Sequence, residues 1–169
     1  MRSALGVLIV AMLTLPAAGQ APETFPFGME NVKWKMSYAE VKAQLEPSAP
    51  EIMAPPGAPL TNQRGYFWGP LHWNGCVLQM WTYFANDQLD YVYVEPERPV
   101  SYACNSSVEQ ELTAHFGEGL RREFMSPFTH KSVSNVTWTT PTTRVQFGGG
   151  TRSVVNLYEV GGPEFSIIN

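Results

Sequence analysis

Three histidines, two cysteines and several closely spaced carboxylates are the side chains of this 169-residue chain that could carry out chemistry. The histidines are His72, His115 and His130, and no two of them show the H-x-x-x-H spacing that places two metal ligands on one helix face. A serine–histidine–aspartate triad has no fixed spacing, but the G-x-S-x-G turn of many serine hydrolases is absent. We therefore predict no catalytic residue, no metal and no cofactor. Hydrolysis, which a deep pocket joining His72 to a carboxylate would support, is the weakest functional hypothesis.

The close carboxylate pairs do not indicate an active site either. These pairs are Asp87 with Asp90, Glu95 with Glu97, and Glu109 with Glu111. A glycoside hydrolase needs two carboxyl groups that face each other across a cleft, about 5–9.5 Å apart. Carboxylates that share a turn or a helix are usually solvated. We interpret the glycines at 148–150 as a hairpin tip, because the lysine and serine or threonine of a phosphate-binding loop do not follow them.

The two cysteines, Cys76 and Cys104, predict one disulfide if the protein reaches an oxidising compartment. The bond would close a loop of 28 residues, which stabilises the folded state by about 3 kcal/mol on the chain-entropy model. A reactive thiol is less favoured, since no basic residue adjoins either cysteine to lower its pKa. Two cysteines without neighbouring histidines also make a weak zinc site.

Residues 1–19 have the pattern of a secretory signal peptide. Arg2 supplies the positive charge, and residues 4–15 form an apolar segment that is too short to span a bilayer. Small residues at the end of this segment predict cleavage after Gly19, and no cysteine is present there to carry a lipid. We expect a soluble periplasmic or secreted protein without a membrane span. The alternative is an uncleaved N-terminal anchor.

The composition favours a β-rich domain and argues against a nucleic-acid partner. Aromatic residues make up 12% of the chain, charged residues only 15%, and the net charge is −4. A chain with this charge and no basic stripe has little to attract a phosphate backbone. About 150 residues beyond the signal peptide suffice for one substantial core.

A repeat with an offset of about 67 residues predicts the architecture. Ser37, Val41 and Leu45 recur as Cys104, Val108 and Leu112, Tyr91 and Pro96 recur as Tyr158 and Pro163, and Trp73 matches Trp138 at an offset of 65. Each copy has one helical pattern followed by several strand patterns, which is typical of α+β proteins with antiparallel sheets. We therefore predict an α+β fold of two tandem helix-plus-antiparallel-meander units packed as one domain, with an N-terminal arm at 20–36, the first unit at 37–99 and the second at 100–169.

Local signals place the helices and strands within the two units. Ser37 and Glu40 form a capping-box pattern for the first helix, which must end before Pro47. The second helix is expected from about 105 to 116, with Ser106 and Ser107 as cap candidates. Asn74-Gly75 is a strong hairpin signal. The predicted strands are 66–73, 76–84, 88–94, 120–125, 133–139, 144–147 and 153–160. We also expect Phe25 and Phe27 of the arm to dock on the core.

Two short patterns resemble those of small exported bacterial proteins. The first, Trp34-Lys35-Met36-Ser37 followed by Glu40 and Val41, resembles a W-x-M-S-x-x-E-V helix opening. The second runs through Cys104, Leu112, Phe116-Gly117, Trp138 and Tyr158. The duplicated layout resembles the fold of BamE-like outer-membrane assembly lipoproteins and of tandem-domain β-lactamase inhibitor proteins. This resemblance implies protein binding across a sheet rather than catalysis, although the chain lacks the lipid-bearing cysteine of the BamE-like proteins.

Aromatic side chains in the predicted strands are the candidate binding residues. Both faces of these strands carry apolar groups, while one layer of helices can cover only one face. Either the two units use all of these groups as core, or one sheet face presents them to a protein partner of the envelope or the secreted fraction. The candidate residues of such a face are Trp68, Trp73, Trp81, Tyr83, Tyr91 and Tyr93. The rival hypothesis is a small-ligand or glycan-binding domain that stacks its ligand on Trp68, Trp73 or Trp81.

Overall fold

The computed structural model describes residues 24–45, 63–125, 130–149 and 153–161. The predicted signal peptide at 1–19 and its cleavage site lie outside these ranges. Within them the chain forms two helices and seven strands. These are α1 (Tyr38–Gln44), β1 (Gln63–Trp73), β2 (Cys76–Ala85), β3 (Gln88–Pro96), α2 (Tyr102–Phe116), β4 (Leu120–Met125), β5 (Ser132–Thr139), β6 (Thr143–Gly149) and β7 (Val154–Glu159). No described helix is long and apolar enough to cross a membrane.

All seven strands belong to one antiparallel sheet with the order β1-β2-β3-β7-β6-β5-β4. The α+β class with an antiparallel sheet is therefore confirmed. The meander β1-β2-β3 precedes α2 in the chain, and the meander β4-β5-β6-β7 follows it. The two meanders join where β3 pairs with β7, and this pairing places Tyr91 opposite Tyr158. The two tyrosines that the repeat relates are therefore neighbours at the middle of the sheet.

The first helix begins as its sequence predicts. The Ser37 hydroxyl accepts a hydrogen bond from the Glu40 amide, and the Glu40 carboxylate accepts one from the Ser37 amide at 2.7 Å. This reciprocal capping box satisfies two amides that no helical carbonyl can reach. The Asn74-Gly75 hairpin is also confirmed, and both of its residues have positive φ angles, +43° and +76°, as a tight two-residue hairpin requires.

The second helix begins earlier than predicted, and the proposed caps Ser106 and Ser107 were wrong. The cap is Ser101, whose Oγ accepts a hydrogen bond from the Cys104 amide at 3.0 Å. The first turn of α2 is largely exposed, and Tyr102 is 88% accessible. The predicted start of the helix was therefore one turn too late, because it was based on an apolar periodicity that the exposed first turn does not show.

One face of the sheet forms the main core with both helices and the arm. Alternate residues of β2, β3 and β7, such as Leu78, Val92 and Leu157, are fully buried there. Val41 of α1 and Val108 and Leu112 of α2 complete this cluster. The alternation follows from the strand pleat, which sends successive side chains to opposite faces.

The N-terminal arm is part of this core. Phe25 and Phe27 are 2% and 5% exposed, which confirms that they dock. The Phe25 ring meets Trp34 edge-on at 4.6 Å between centroids, and the Trp34 indole N–H donates to the Thr143 hydroxyl at 2.8 Å. The arm is therefore held against β6.

Cys76 and Cys104 form the predicted disulfide, with their Cα atoms 5.3 Å apart. Cys76 begins β2, and Cys104 lies in the first turn of α2. The bond therefore holds α2, which follows the first meander in the chain, against a strand of that meander.

Removing the disulfide should lower the free energy of unfolding by about 3 kcal/mol, since the unfolded chain regains the entropy of a 28-residue loop. The variant for this test carries both Cys76→Ala and Cys104→Ala, so that no free thiol remains. Urea unfolding followed by tryptophan fluorescence gives the difference. A loss below about 1 kcal/mol would show that the loop is already restricted in the unfolded protein.

Lys35 of the arm should stabilise the junction of β3 and β7 in a pH-dependent way. Its Nζ lies 2.7 Å from Glu159 Oε2 and 3.6 Å from Asp90 Oδ1, and the hydrogen bond to Glu159 raises the pKa of Lys35 above its usual 10.5. The lysine side chain is 46% exposed, so Lys35→Met should cost no more than about 1 kcal/mol.

The raised pKa fixes the direction of the pH effect. A lysine whose folded pKa lies above its unfolded pKa contributes its full stabilisation below pH 10.5, and this contribution is lost as the pH rises through the folded pKa. Unfolding of the wild type and Lys35→Met should therefore differ at about pH 8 and converge above the folded pKa. Lys131→Met, at an exposed position, is the control. A difference that stays unchanged in strong alkali would contradict the assignment.

Candidate functional site

The candidate site is the face of the sheet opposite the two helices, which we call the helix-free face. Its aromatic half lies on the first meander, where Tyr83 and Tyr91 are buried together with Tyr158 of β7. Trp81 and Tyr93 pack against this group and remain partly exposed. Four of the six aromatic residues predicted to form a binding face therefore lie here.

The other two, Trp68 and Trp73, lie on the helix side of the sheet. Trp68 is 1% exposed, and its indole N–H donates to the Thr82 hydroxyl at 2.6 Å. Trp73 is half-buried and meets Phe27 of the arm at 5.3 Å between ring centroids. The six predicted residues therefore do not form a single surface.

A β-bulge in β1 explains why Trp68 and Trp73 both face the helix side. The register between β1 and β2 shifts between Trp68 and Leu71, next to Pro70. An extra residue at a bulge moves all following side chains to the opposite face. Trp73 stands opposite Cys76 on the helix side, and without the bulge Trp68, five positions away, would lie on the helix-free face. His72, between Leu71 and Trp73, lies on the helix-free face and is exposed.

The exposed part of the aromatic half is a row of three rings across neighbouring strands. Phe67, Trp81 and Tyr93 stand opposite one another on β1, β2 and β3, with centroids 5.1 and 5.3 Å apart. Phe67 was not among the predicted binding residues, because its place opposite Trp81 depends on the bulge. Pro70 inside a strand pattern was the signal for that bulge.

The hydroxyl groups of the buried tyrosines differ in their hydrogen bonds. Tyr91 donates to Asn156 Oδ1 of β7, whereas the buried Tyr83 hydroxyl has no partner among the described residues. Burial raises the pKa of both phenols far above the usual value of 10. Tyr93 donates to Glu95 Oε2 at 2.8 Å, which fixes its ring beside Trp81.

The second half of the helix-free face is a groove of about 530 Å³ over β4, β5 and β6. Its lining contains two arginines, several amide and hydroxyl groups, and no carboxylate. The lining residues are Leu120, Arg122, Phe124, Asn135, Thr137, Thr139, Arg144 and Gln146. A groove with this lining is suited to negatively charged or hydroxyl-rich groups, because arginine binds oxyanions through two parallel hydrogen bonds.

The turn between α2 and β4 positions the outer wall of this groove. Gly117 ends α2 with φ +79°, and its carbonyl accepts a hydrogen bond from the Trp138 indole N–H at 2.8 Å. Gly119 passes so close to Trp138 that a Cβ there would lie 2.6 Å from the ring. Only glycine permits this approach, and it sets β4 directly beside β5.

The two halves form one continuous face because the strand register aligns them. Tyr93 stands opposite Asn156, which stands opposite Gln146. In the neighbouring row, Tyr91 stands opposite Tyr158, which stands opposite Arg144. A ligand could therefore contact the aromatic half and the arginine-lined half at the same time.

The histidines lie in three separate environments. His72 is exposed on β1 and His130 is exposed before β5. The His115 Nε2 lies 2.7 Å from the Thr24 carbonyl oxygen, where α2 meets the arm. Among the described residues, no three histidine, cysteine, aspartate or glutamate side chains come together as a possible metal site.

Removing one hydroxyl from each of the two buried tyrosines should have different effects. Tyr83→Phe should be neutral or slightly stabilising, because it removes a buried hydroxyl without a partner among the described residues. Tyr91→Phe should cost about 1–2 kcal/mol, because the Asn156 side-chain oxygen loses its donor. Urea unfolding of both variants measures the difference. Equal losses in the two variants would contradict this account.

Comparison with known proteins finds a distant structural neighbour. No protein-family model and no curated protein matches this chain. Among solved structures, the chain is similar to a DUF4309 family protein (YjgB) from Bacillus subtilis subsp. subtilis str. 168, with a TM-score of 0.49. The identity is 18%, over 81% of this chain and 88% of that chain. Values this low assign neither a family nor an activity, and the resemblance to BamE-like and β-lactamase inhibitor domains stays a prediction.

Proposed function

We propose that this chain is an exported, non-enzymatic protein that binds another protein through its helix-free face. The observation that carries the proposal is the unequal cover of the two faces. Both helices and the arm pack on one face, while the other presents Trp81 and Tyr93 beside an arginine-lined groove. Partly exposed aromatic rings next to arginines are typical of the residues that contribute most to protein–protein binding.

We also propose that the protein is exported. The disulfide between Cys76 and Cys104 fits a protein that works outside the cytoplasm. The signal-peptide pattern at 1–19 and a periplasmic or secreted location complete this hypothesis. The expected partner is a protein of the same compartment.

We also propose that the fold consists of two tandem helix-plus-meander units. The pairing of Tyr91 with Tyr158 is what two repeated units joined edge to edge would give. In that arrangement the binding face is shared between both units, since each contributes the strands next to the junction. A function located in only one unit is then less favoured.

Substitutions on the helix-free face test the proposal. Tagged protein is recovered from its native envelope with any bound partner, and the partner's affinity is then measured with purified components. Trp81→Ala and Tyr93→Ala should each weaken binding by about 30-fold, since truncating a central aromatic anchor costs about 2 kcal/mol. Tyr102→Ala is the matched control, because Tyr102 is an aromatic residue on α2 that is 88% exposed. Unchanged affinity in Trp81→Ala and Tyr93→Ala, an equal loss in Tyr102→Ala, or no recovered partner would count against the proposal.

A small ligand in the groove is the second candidate function. The arginines, amides and hydroxyls that line it could bind an acidic or hydroxylated small molecule, including a glycan. A screen read by melting temperature separates the two candidates, since a ligand that binds only the folded state raises Tm. A rise that is lost in Arg144→Ala but kept in Trp81→Ala would favour the small ligand.

A further inference from the structure

Strand β4 is the outermost strand of the second meander, and it is unusually accessible. It ends the sheet order, so no described strand pairs with its outer edge. All six of its residues are exposed. Three of these are large and apolar, with Leu120, Phe124 and Met125 exposed by 60%, 41% and 63%. An edge of this kind offers unpaired backbone groups and apolar contacts to an added strand.

The opposite edge of the sheet is less suited to binding an added strand. The edge strand β1 contains Pro70 and a β-bulge. Proline has no N–H to donate, and a bulge interrupts the ladder, so both features discourage an added strand. β4 contains no proline, and its pairing with β5 runs without a shift from Leu120 to Met125. The two edges are therefore unequal, and β4 is the one that can accept a strand.

The side chains of β4 specify what an added strand should carry. Leu120, Arg122 and Phe124 alternate along the groove side of β4, so residues directly opposite them would share that face. Complementary pairing requires an acidic residue opposite Arg122 and apolar residues two positions to either side. None of the described carboxylates is within ion-pair distance of Arg122, whereas its neighbour Arg121 contacts Glu109 of α2.

A second copy of this chain pairs poorly with the same edge in the registers that bring most of β4 together. In a dimer of this kind, β4 would pair antiparallel with β4 of the second copy about a two-fold axis. Residues directly opposite each other then share a face of the sheet only when the axis passes through a residue. That residue then stands opposite its own copy. Centred registers place Arg122 against Arg122 or Glu123 against Glu123, and like charges directly opposite each other are destabilising.

We propose that β4 binds an extended segment of the partner protein as an eighth strand. The bound segment carries a carboxylate opposite Arg122, flanked at two positions on each side by apolar residues opposite Leu120 and Phe124. This inference rests on the proposed protein-binding function and names the chemistry of the partner.

Peptide binding to the purified protein tests the inference. The probe is a capped nine-residue peptide of alternating valine and threonine with a central glutamate, with one valine two positions before the glutamate and one two positions after. The matched probe has lysine in place of the glutamate. Amide shifts of the ¹⁵N-labelled protein should change mainly in β4 and β5, and the glutamate peptide should bind about five-fold more tightly than the lysine peptide, as expected for a favourable cross-strand charge pair.

A charge reversal provides the decisive control. Arg122→Glu should invert the preference, so that the lysine peptide binds more tightly. The position is exposed, and an unchanged amide spectrum in the free variant confirms its fold. Arg98→Glu introduces the same charge change at an exposed position outside β4 and should keep the wild-type preference.

Three results would overturn the inference. They are shifts confined to residues away from β4 and β5, equal affinity for both peptides in the wild type and Arg122→Glu, and sedimentation of the wild type as a dimer that Leu120→Lys makes monomeric. The last result would assign the edge to a second copy. Each leaves the partner assay with Trp81→Ala and Tyr93→Ala unaffected, so failure here and failure of the proposed function are distinguishable.

Discussion

Strands β3 and β7 come from different halves of the chain, and the pairs from Tyr91 with Tyr158 to Val94 with Val155 hold them together. This pairing turns two meanders into one sheet. Without it, each meander would expose an edge at the centre of the molecule, and the apolar residues Val92 and Leu157 would lose each other as neighbours. Lys35 binds carboxylates on both strands, so the arm supports the same junction from the helix side. The continuous helix-free face is a direct consequence of this junction.

The two faces of the sheet differ because the helices and the arm cover only one of them. A seven-stranded sheet is wide, and the two short helices with the arm supply enough apolar surface for one face only. The other face is filled in part by its own tyrosines. Tyr83, Tyr91 and Tyr158 pack on one another, and the neighbouring strands carry arginine, amide and hydroxyl groups instead. This face, aromatic in one half and polar in the other, is the one through which we propose that the protein binds its partner.

Several elements could be predicted from sequence because their signals are local. The capping box at Ser37, the Asn74-Gly75 turn and the bounds of β4 depend on residues close together in the chain. The disulfide was predictable because the chain has only two cysteines. The start of α2 was missed, since its first turn has a cap at Ser101 but almost no buried apolar residue. Among the candidate site residues, Trp81 and Tyr93 were found by strand alternation, whereas Phe67 and the groove were not.

Local patterns were enough to predict the class of the fold, most of the strands and the bond between Cys76 and Cys104, because periodicity, turn residues and cysteine count act over short distances or leave one choice. Which side chains share a face depends on the tertiary structure. The bulge beside Pro70 places Trp68 on the same side as Leu71 and Trp73, since a shift of one residue exchanges the faces of a strand. The order of the strands likewise brings Arg122 and Arg144 into one groove and leaves β4 at the edge. Such neighbours depend on contacts between residues far apart in the chain, which no local pattern records.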